Sequence, residues 1–513
     1  MPVEVSDIIE AERILYSLMK DDVYEYMKRM KMCEFSNLQV SDNALIGNKF
    51  NGHDLHLYLR EHRIESEQLV LNPEFTNNDS YFFLKNQSQQ TKFMELERNY
   101  SVHAMLYPNV LDIMYNKLFL GTDIVHYHLI HNYFFNMNLF PIMTRLKPSV
   151  WTIHDPWALS GHCIHHFDCD RWQKACGDCP ALDIPFPMPK DNTALNFELK
   201  RQALQNSKLS LIVASNWMKE KVQKSPIAKD LPLYHVPFGI NQELFKPGSI
   251  KEAKNALGID EKSFTLMFRS EPNPYKGIDI IKVALAKIKA EEKATLITVG
   301  LEKRMLEEFE GRFNIIEFGW LKDDKKLIEL YQACDIFLMP SKQEAFGMMA
   351  IEAMSCGKPV LSIKGTALED TINSPHCGLA VEPDAGAYTK ELQRLMDNPT
   401  EILERGQKSL EFARKNYCHK VYTDRMIKVY RDVISRHKID DEAKYVLEQL
   451  KKHMQQEPLK RIEDILPSGK NSLPVKGKKS ILLKILYRIA LRPVLKIIHG
   501  REKVRQKYDK RFS

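Results

Sequence analysis

Short apolar runs alternate with helical patterns along most of this chain. From about Asp42 onward, strand-like runs fall at Ala44–Gly47, Gln68–Leu71, Asp123–Tyr127, Val150–Ile153 and Leu209–Ala214. A second series follows at Thr265–Phe268, Thr295–Val299, Ile315–Phe318, Ile336–Met339, Pro359–Ile363 and Leu379–Val381. Such alternation implies parallel strands covered on both faces by helices. The series break near His235-Val236-Pro237-Phe238-Gly239, where Pro and Gly interrupt the pattern. The expected fold class is α/β, with two Rossmann-like, doubly wound domains at residues 42–237 and 238–419. Their cleft would lie at the carboxyl ends of both sets of strands.

The flanks read differently. Residues 1–41 predict a helical N-terminal extension, carried by Ile8, Ile9, Leu15, Leu18, Met19, Val23, Tyr26, Met27 and Met30. In residues 420–437, Val421, Tyr422, Ile427, Tyr430, Val433 and Ile434 recur at helical spacing and predict a helix returning to the first domain. Residues 438–513 read as a helical segment, a Pro/Gly/Ser/Lys-rich linker at 466–480 and a basic tail.

Charge sharpens the reading of that tail. The net charge of +7 is uneven: from Lys470 to Ser513 fourteen Lys/Arg face two acids, a net of +12, which leaves the rest at −5. Within Ile481–Ile498 the cations Lys484, Arg488, Arg492 and Lys496 recur every fourth residue among aliphatics. This pattern suits a helix lying in the interface of an anionic membrane, split at Pro493. A helix packed on protein is the alternative, and nucleic acid is disfavoured because the stripe sits among aliphatics. There is no leader pattern and no apolar run of about 18 residues, so a cytoplasmic protein associated peripherally with the inner face of the cell membrane is expected.

The densest chemistry is at Glu344-Ala345-Phe346-Gly347-Met348-Met349-Ala350-Ile351-Glu352. A strand-like run precedes it and a helix is predicted from Gly347. A loop-to-helix junction after a buried strand binds phosphate through free N–H groups and the helix dipole. Carboxylates there repel phosphate and suit sugar hydroxyls, which need acceptors. Upstream, Phe268-Arg269-Ser270-Glu271-Pro272-Asn273-Pro274-Tyr275-Lys276-Gly277 opens the second domain after its first strand. Arg269 and Lys276 can reach one pyrophosphate, and Arg can do so bidentately. Two solvated cations and an acidic surface helix are the plain alternatives.

Over residues 42–437 the chain resembles the family 4 glycosyltransferases of GT-B fold. The matching segments, in order, are Asn51-Gly52-His53, Thr152-Ile153-His154-Asp155, Ala214-Ser215-Asn216-Trp217, Val236–Ile240 with Phe245-Lys246-Pro247, Arg269 with Lys276-Gly277, and Glu344 with Glu352. Asp123–His131 and His154–Trp157 with Gly161-His162-Cys163 resemble bacterial members that build cell-surface polysaccharides, such as lipopolysaccharide or capsule. The resemblance implies retaining transfer from a nucleoside-diphosphate sugar to a hydroxyl of a lipid-linked glycan, without a catalytic metal. Carried over by motif, Arg269 and Lys276 neutralise the leaving diphosphate, Gly347 and Met348 cap it through their amides, and Glu344 holds donor-sugar hydroxyls. Glu352 would hold the ribose, and His154 would reach the sugar from the first domain. The chain departs from the family pattern in its shortened Asn51-Gly52-His53 loop, in the Ser-Glu-Pro-Asn-Pro after Arg269, and in Asp155-Pro156. A phosphorylase or epimerase on the same fold, or a non-catalytic glycan-assembly partner tethered to the membrane, are the competing readings.

Two clusters remain. Cys163, Cys169, Cys176 and Cys179, spaced C-x5-C-x6-C-x2-C, suit a structural tetrahedral zinc, with disulfides or reduced thiols as alternatives. His126, His128 and His131 end a predicted strand. They are open to three readings: acceptor contacts lining the cleft, a metal site, or ordinary packing.

Overall fold

The computed structural model describes residues 33–43, 52–72, 81–83, 90–107, 109–183, 186–289, 294–300, 304–321 and 323–456. It contains two parallel sheets. The first joins β1 (Ser36–Asn43), β2 (Glu65–Asn72), β3 (Tyr81–Phe83), β4 (Ile124–Tyr127), β5 (Ser149–Thr152), β6 (Leu209–Val213) and β7 (Leu233–His235) in the order β3-β2-β1-β4-β5-β6-β7. The second joins β8 (Thr265–Ser270), β9 (Thr295–Gly300), β10 (Asn314–Phe318), β11 (Ile336–Met339), β12 (Val360–Ile363) and β13 (Leu379–Val381) in the order β10-β9-β8-β11-β12-β13. Both orders reverse direction beside the first strand, between β1 and β4 and between β8 and β11. In open α/β sheets this switch point is where ligands bind.

The central strands are buried along their whole length. That explains why they read as continuous Val/Ile/Leu runs. One apolar cluster fills the first domain and another the second. A third joins first-domain residues such as Leu55, Ile124 and Val150 to Phe238, Phe346 and Tyr422. The halves are therefore packed together and not merely tethered.

The start of the first sheet differs from the sequence reading. β1 is Ser36–Asn43, which places a strand in the last residues of the expected helical extension. The strand expected at Ala44–Gly47 lies outside the described residues, as do residues 1–32, Asn51 and everything from 457 onward, including the basic tail. β1 escaped detection because its buried positions alternate between Leu38 or Val40 and the polar Asn37, Gln39 and Ser41. β3 and β7, three residues each, were too short to give a pattern.

Helix His419–Arg436 crosses back from the second domain, and its Tyr430 lies on the first sheet. The Tyr430 hydroxyl accepts from Gln39 Nε2 (3.2 Å) and lies 2.7 Å from His126 Nδ1. Helix Asp441–Gln456 follows and adds Ala443 and Leu450 to the first core. Because the Tyr430 hydroxyl serves two buried polar groups, Tyr430→Phe is expected to destabilise the fold by about 1–3 kcal/mol. The check is urea unfolding, in which the midpoint should fall with little change in slope.

Candidate functional site

Two loops of the second domain meet at its switch point. After β8 the chain turns through Asn273, whose Oδ1 accepts from Tyr275 N (3.0 Å) and starts the short turn Pro274–Lys276. Gly277 then adopts φ +71°, and an added Cβ would lie 2.0 Å from the Pro340 carbonyl oxygen. The loop is thus pressed against the end of β11 and Lys276 is fixed in place. Lys276 Nζ donates to Glu344 Oε2 at 3.0 Å. Both side chains remain partly exposed, at 21% and 18%.

Glu344 leads into helix Met348–Ser355, which opens at Gly347 with φ +101°. A Cβ on Gly347 would meet Leu368 Cδ2 at 2.4 Å and lie 3.7 Å from Glu344 Cγ. The helix N-terminus is therefore beside the ion pair, and only glycine fits there without strain. The segment is also held by the first domain: Ser215 Oγ donates to the Ala345 carbonyl (2.6 Å), and Trp217 Nε1 donates to the Gly365 carbonyl (3.0 Å).

The remaining second-domain residues already have partners within their own domain. Arg269 is half-buried at the end of β8. Its guanidinium pairs with Glu271 at 2.6 Å and lies 5.7 Å from the Trp320 ring. The unusual acid after Arg269 is thus an internal counter-ion. Glu352 is not open beside Glu344. It is 5% exposed, and its Oε2 accepts from Tyr331 Oη at 3.0 Å. Position 352 is on the second helical turn, and there the side chain turns toward helix Asp324–Ala333 instead of the ion pair.

His154 follows β5. Its ring stacks on Phe238 (5.6 Å, 13°), and Phe238 meets Phe346 edge-on at 5.2 Å, so the histidine connects to the Glu344 segment through two rings. Behind it runs a buried polar network. Gln39 Nε2 donates to Asn37 Oδ1 (2.6 Å) and Tyr430 Oη, leaving Oε1 to accept from His128 Nε2 (2.7 Å). His128 Nδ1 is 3.0 Å from His154 Nε2. His126 bridges Tyr430 Oη and Thr152 Oγ1, each at 2.7 Å. Gly52 closes the site from the other side, since a Cβ there would lie 2.6 Å from His128 Nε2. His131 contacts Asp155 (3.3 Å) and stacks on Trp157. His126, His128 and His131 are thus buried and held by partners within the fold. The partners Gln39 and Tyr430 had no signal in motif spacing, and Ser215 had only its place in the Ala214–Trp217 segment.

The loop beyond β5 brings the four cysteines to one small cavity with His162. It also lays His165 and Phe167 on Tyr275, with ring centroids 4.7 and 5.0 Å away. Tyr275 was not singled out from sequence. Burial lowers the His165 pKa, and the charges of Asp155, Lys276 and Glu344 reach the ring.

Burial pushes His154 down to about 3, with the nearby His131 adding to the effect, and holds His126 and His128 well below the ordinary imidazole value. These rings are neutral when folded, whereas the unfolded chain takes up their protons below about pH 6.5. Stability is therefore present above that pH and falls as pH drops from about 6.5 toward 3. Each ring contributes up to about 1.4 kcal/mol per pH unit. Urea unfolding at pH 7.5, 6.5 and 5.5 should show this acid-side loss.

Comparison with known proteins agrees with this geometry. Residues 249–415 match the family model described as glycosyl transferases group 1. D-inositol 3-phosphate glycosyltransferase 2 of Catenulispora acidiphila is 28% identical over 193 residues, 34% of this chain and 45% of that protein. The putative colanic acid biosynthesis glycosyl transferase WcaC of Escherichia coli is 24% identical over 272 residues, 49% of this chain and 62% of that protein. The chain spans about half the length of the curated relatives it matches. Among solved structures, sucrose-phosphate synthase from Thermosynechococcus elongatus superposes with a TM-score of 0.58 at 18% identity, covering 78% of this chain and all of that one. WaaG, a glycosyltransferase involved in lipopolysaccharide biosynthesis, gives 0.53 at 15% identity, covering 76% of this chain and 97% of that one. Residues 249–415 are thus a group 1 glycosyl transferase domain, set in a two-sheet α/β fold of the kind seen in the superposed GT-B glycosyltransferases.

Proposed function

We propose that the protein moves a sugar, with retention, from a nucleoside-diphosphate sugar to a hydroxyl of a glycan acceptor. The observation that carries this reading is the Lys276–Glu344 pair, 3.0 Å apart at the switch point and beside a helix N-terminus. Cleaving the bond between the anomeric carbon and the diphosphate builds positive charge on the sugar and negative charge on the leaving group. Lys276, Arg269 and the amides of Gly347 and Met348 stabilise the departing diphosphate, more strongly in the transition state than before it. Glu344 accepts from the donor-sugar hydroxyls. In the free protein Lys276 and Glu344 satisfy each other. A bound donor gives the lysine an anion and the glutamate a set of hydroxyls, so the two part without either being stranded.

His154 reaches the sugar from the first domain. Held to about 3, it is a poor base, so the acceptor's proton passes to the diphosphate oxygen as the new carbon–oxygen bond forms. Glu352, held by Tyr331 in the free protein, turns from that bond to receive the ribose hydroxyls. The family match lies wholly in the second domain, which handles the donor in this reading, so the first domain sets the acceptor. The names of WcaC and WaaG support a surface polysaccharide as the acceptor class. The basic tail supports a lipid-linked acceptor at the inner face of the cell membrane.

Glu344→Ala and Lys276→Ala are each expected to lower turnover by about 10²-fold or more while the thermal midpoint changes little. The assay is product analysis with labelled nucleotide sugars, chosen first by their thermal stabilisation of the protein. Full activity in either folded variant would refute the assignment. Free sugar phosphate or an isomer as the product would favour a phosphorylase or epimerase. Deleting residues 470–513 is expected to abolish sedimentation with anionic vesicles and leave transfer to a soluble acceptor intact.

A further inference from the structure

The cysteine loop is more than a covering of the cleft. Cys163, Cys169, Cys176 and Cys179 line one cavity among residues 160–193. Cys163 Sγ, Cys179 Sγ and a ring nitrogen of the buried His162 lie within 4.8 Å of one another, with His162 Nε2 3.7 Å from Cys179 Sγ. The sulfur-to-sulfur edge of a tetrahedral zinc site is about 3.8 Å, given the usual bond length. The Cys163 and Cys179 sulfurs, within 4.8 Å of each other, are therefore already near that spacing. Gly161 N–H donates to Cys176 Sγ at 3.2 Å, a bond that suits a thiolate acceptor. All four cysteines are free thiols.

A second observation points to negative charge in this place. Lys200 is fully buried, its ammonium 3.5 Å from the Trp157 ring centroid and donating to the carbonyls of Trp157 and Ser160. Among the described residues no carboxylate lies within ion-pair distance of it, and Ser160, whose carbonyl it holds, donates through Oγ to the Cys163 carbonyl at 2.9 Å. A buried cation without a counter-ion is costly. Four thiolates around a divalent cation carry a net charge of about −2 and supply that counter-ion.

We propose that Cys163, Cys169, Cys176 and Cys179 bind one zinc-class ion, which staples this first-domain loop so that His165 and Phe167 brace Tyr275 of the donor loop. His162 then donates to the Cys179 thiolate and is not a ligand. Four thiolates leave no open coordination position, so the ion positions and does not catalyse. Tyr275 immediately precedes Lys276, so the brace controls where the diphosphate-binding lysine sits. This last consequence rests on the donor reading above, whereas the metal site does not.

The full chain, purified without added metal, is expected to carry about one zinc per molecule by elemental analysis. Cys163→Ser and Cys179→Ser should lose it, and His162→Gln should keep it. No metal, or thiols lost to disulfides under non-reducing mass spectrometry, would overturn the site. Loss of metal in H162Q would overturn the four-thiolate set. Phe167→Ala alters an exposed ring and should keep both ion and thermal midpoint, while raising the KM for the nucleotide sugar about 5–10-fold with a smaller change in kcat. An unchanged KM would overturn the brace. One zinc per chain with no transfer from any nucleotide sugar would sink the donor reading and leave the staple standing.

Discussion

The ion pair between Lys276 and Glu344 ties together the loops that follow β8 and β11, and the organisation of the site follows from it. Each partner comes from a different crossover of the same sheet, so the 3.0 Å contact exists only if the strand order reverses between β8 and β11. Both loops are fixed by glycines with no room for a side chain, Gly277 against Pro340 and Gly347 against Leu368. A partly exposed pair of this kind adds little to stability. Its significance is geometric: it holds a cation and an acceptor at one point, beside a helix N-terminus, on the surface that the first domain covers.

That covering is built from both directions. The Ser215 hydroxyl and the Trp217 indole reach from the first domain to the Ala345 and Gly365 carbonyls. From the second domain, helix His419–Arg436 returns Tyr430 to the first sheet. The cysteine loop adds a third contact, with two rings on Tyr275. An apolar cluster containing residues of both halves lies beneath these contacts. Any opening of the cleft must therefore exchange hydrogen bonds and ring contacts as well as separate two surfaces.

What the sequence made legible follows the same physics. Parallel strands buried on both faces leave apolar runs, so β4 to β6 and most of the second sheet could be placed within a residue or two. β1 could not, because Asn37 and Gln39 are buried through partners as distant as Tyr430, and no local pattern encodes a contact across 391 positions. At the site, motif order pointed to Lys276 and Glu344, which lie 3.0 Å apart. It did not show that Glu271 takes Arg269 or that Tyr331 takes Glu352. Those outcomes depend on where a side chain turns once its neighbours are packed. The three histidines after Val125 allowed cleft or core, and Gln39, Tyr430 and Asp155 decided for the core.

The direction of the hydrogen bonds in that core bears on the cleft. An amide nitrogen can only donate, so Gln39 Nε2, turned toward Asn37 Oδ1 and Tyr430 Oη, fixes its own oxygen as an acceptor. His128 must then carry its proton on Nε2, and its Nδ1 must accept from His154 Nε2. On the other branch Tyr430, which accepts from Gln39, lies 2.7 Å from His126 Nδ1, and His126 Nε2 lies 2.7 Å from Thr152 Oγ1. His154 is thereby left as the tautomer whose Nδ1 is the acceptor, and burial keeps it uncharged. The first domain thus contributes a neutral imidazole at this point. On the donor reading proposed above, a cation at His154 would oppose the charge forming on the sugar, and burial removes it.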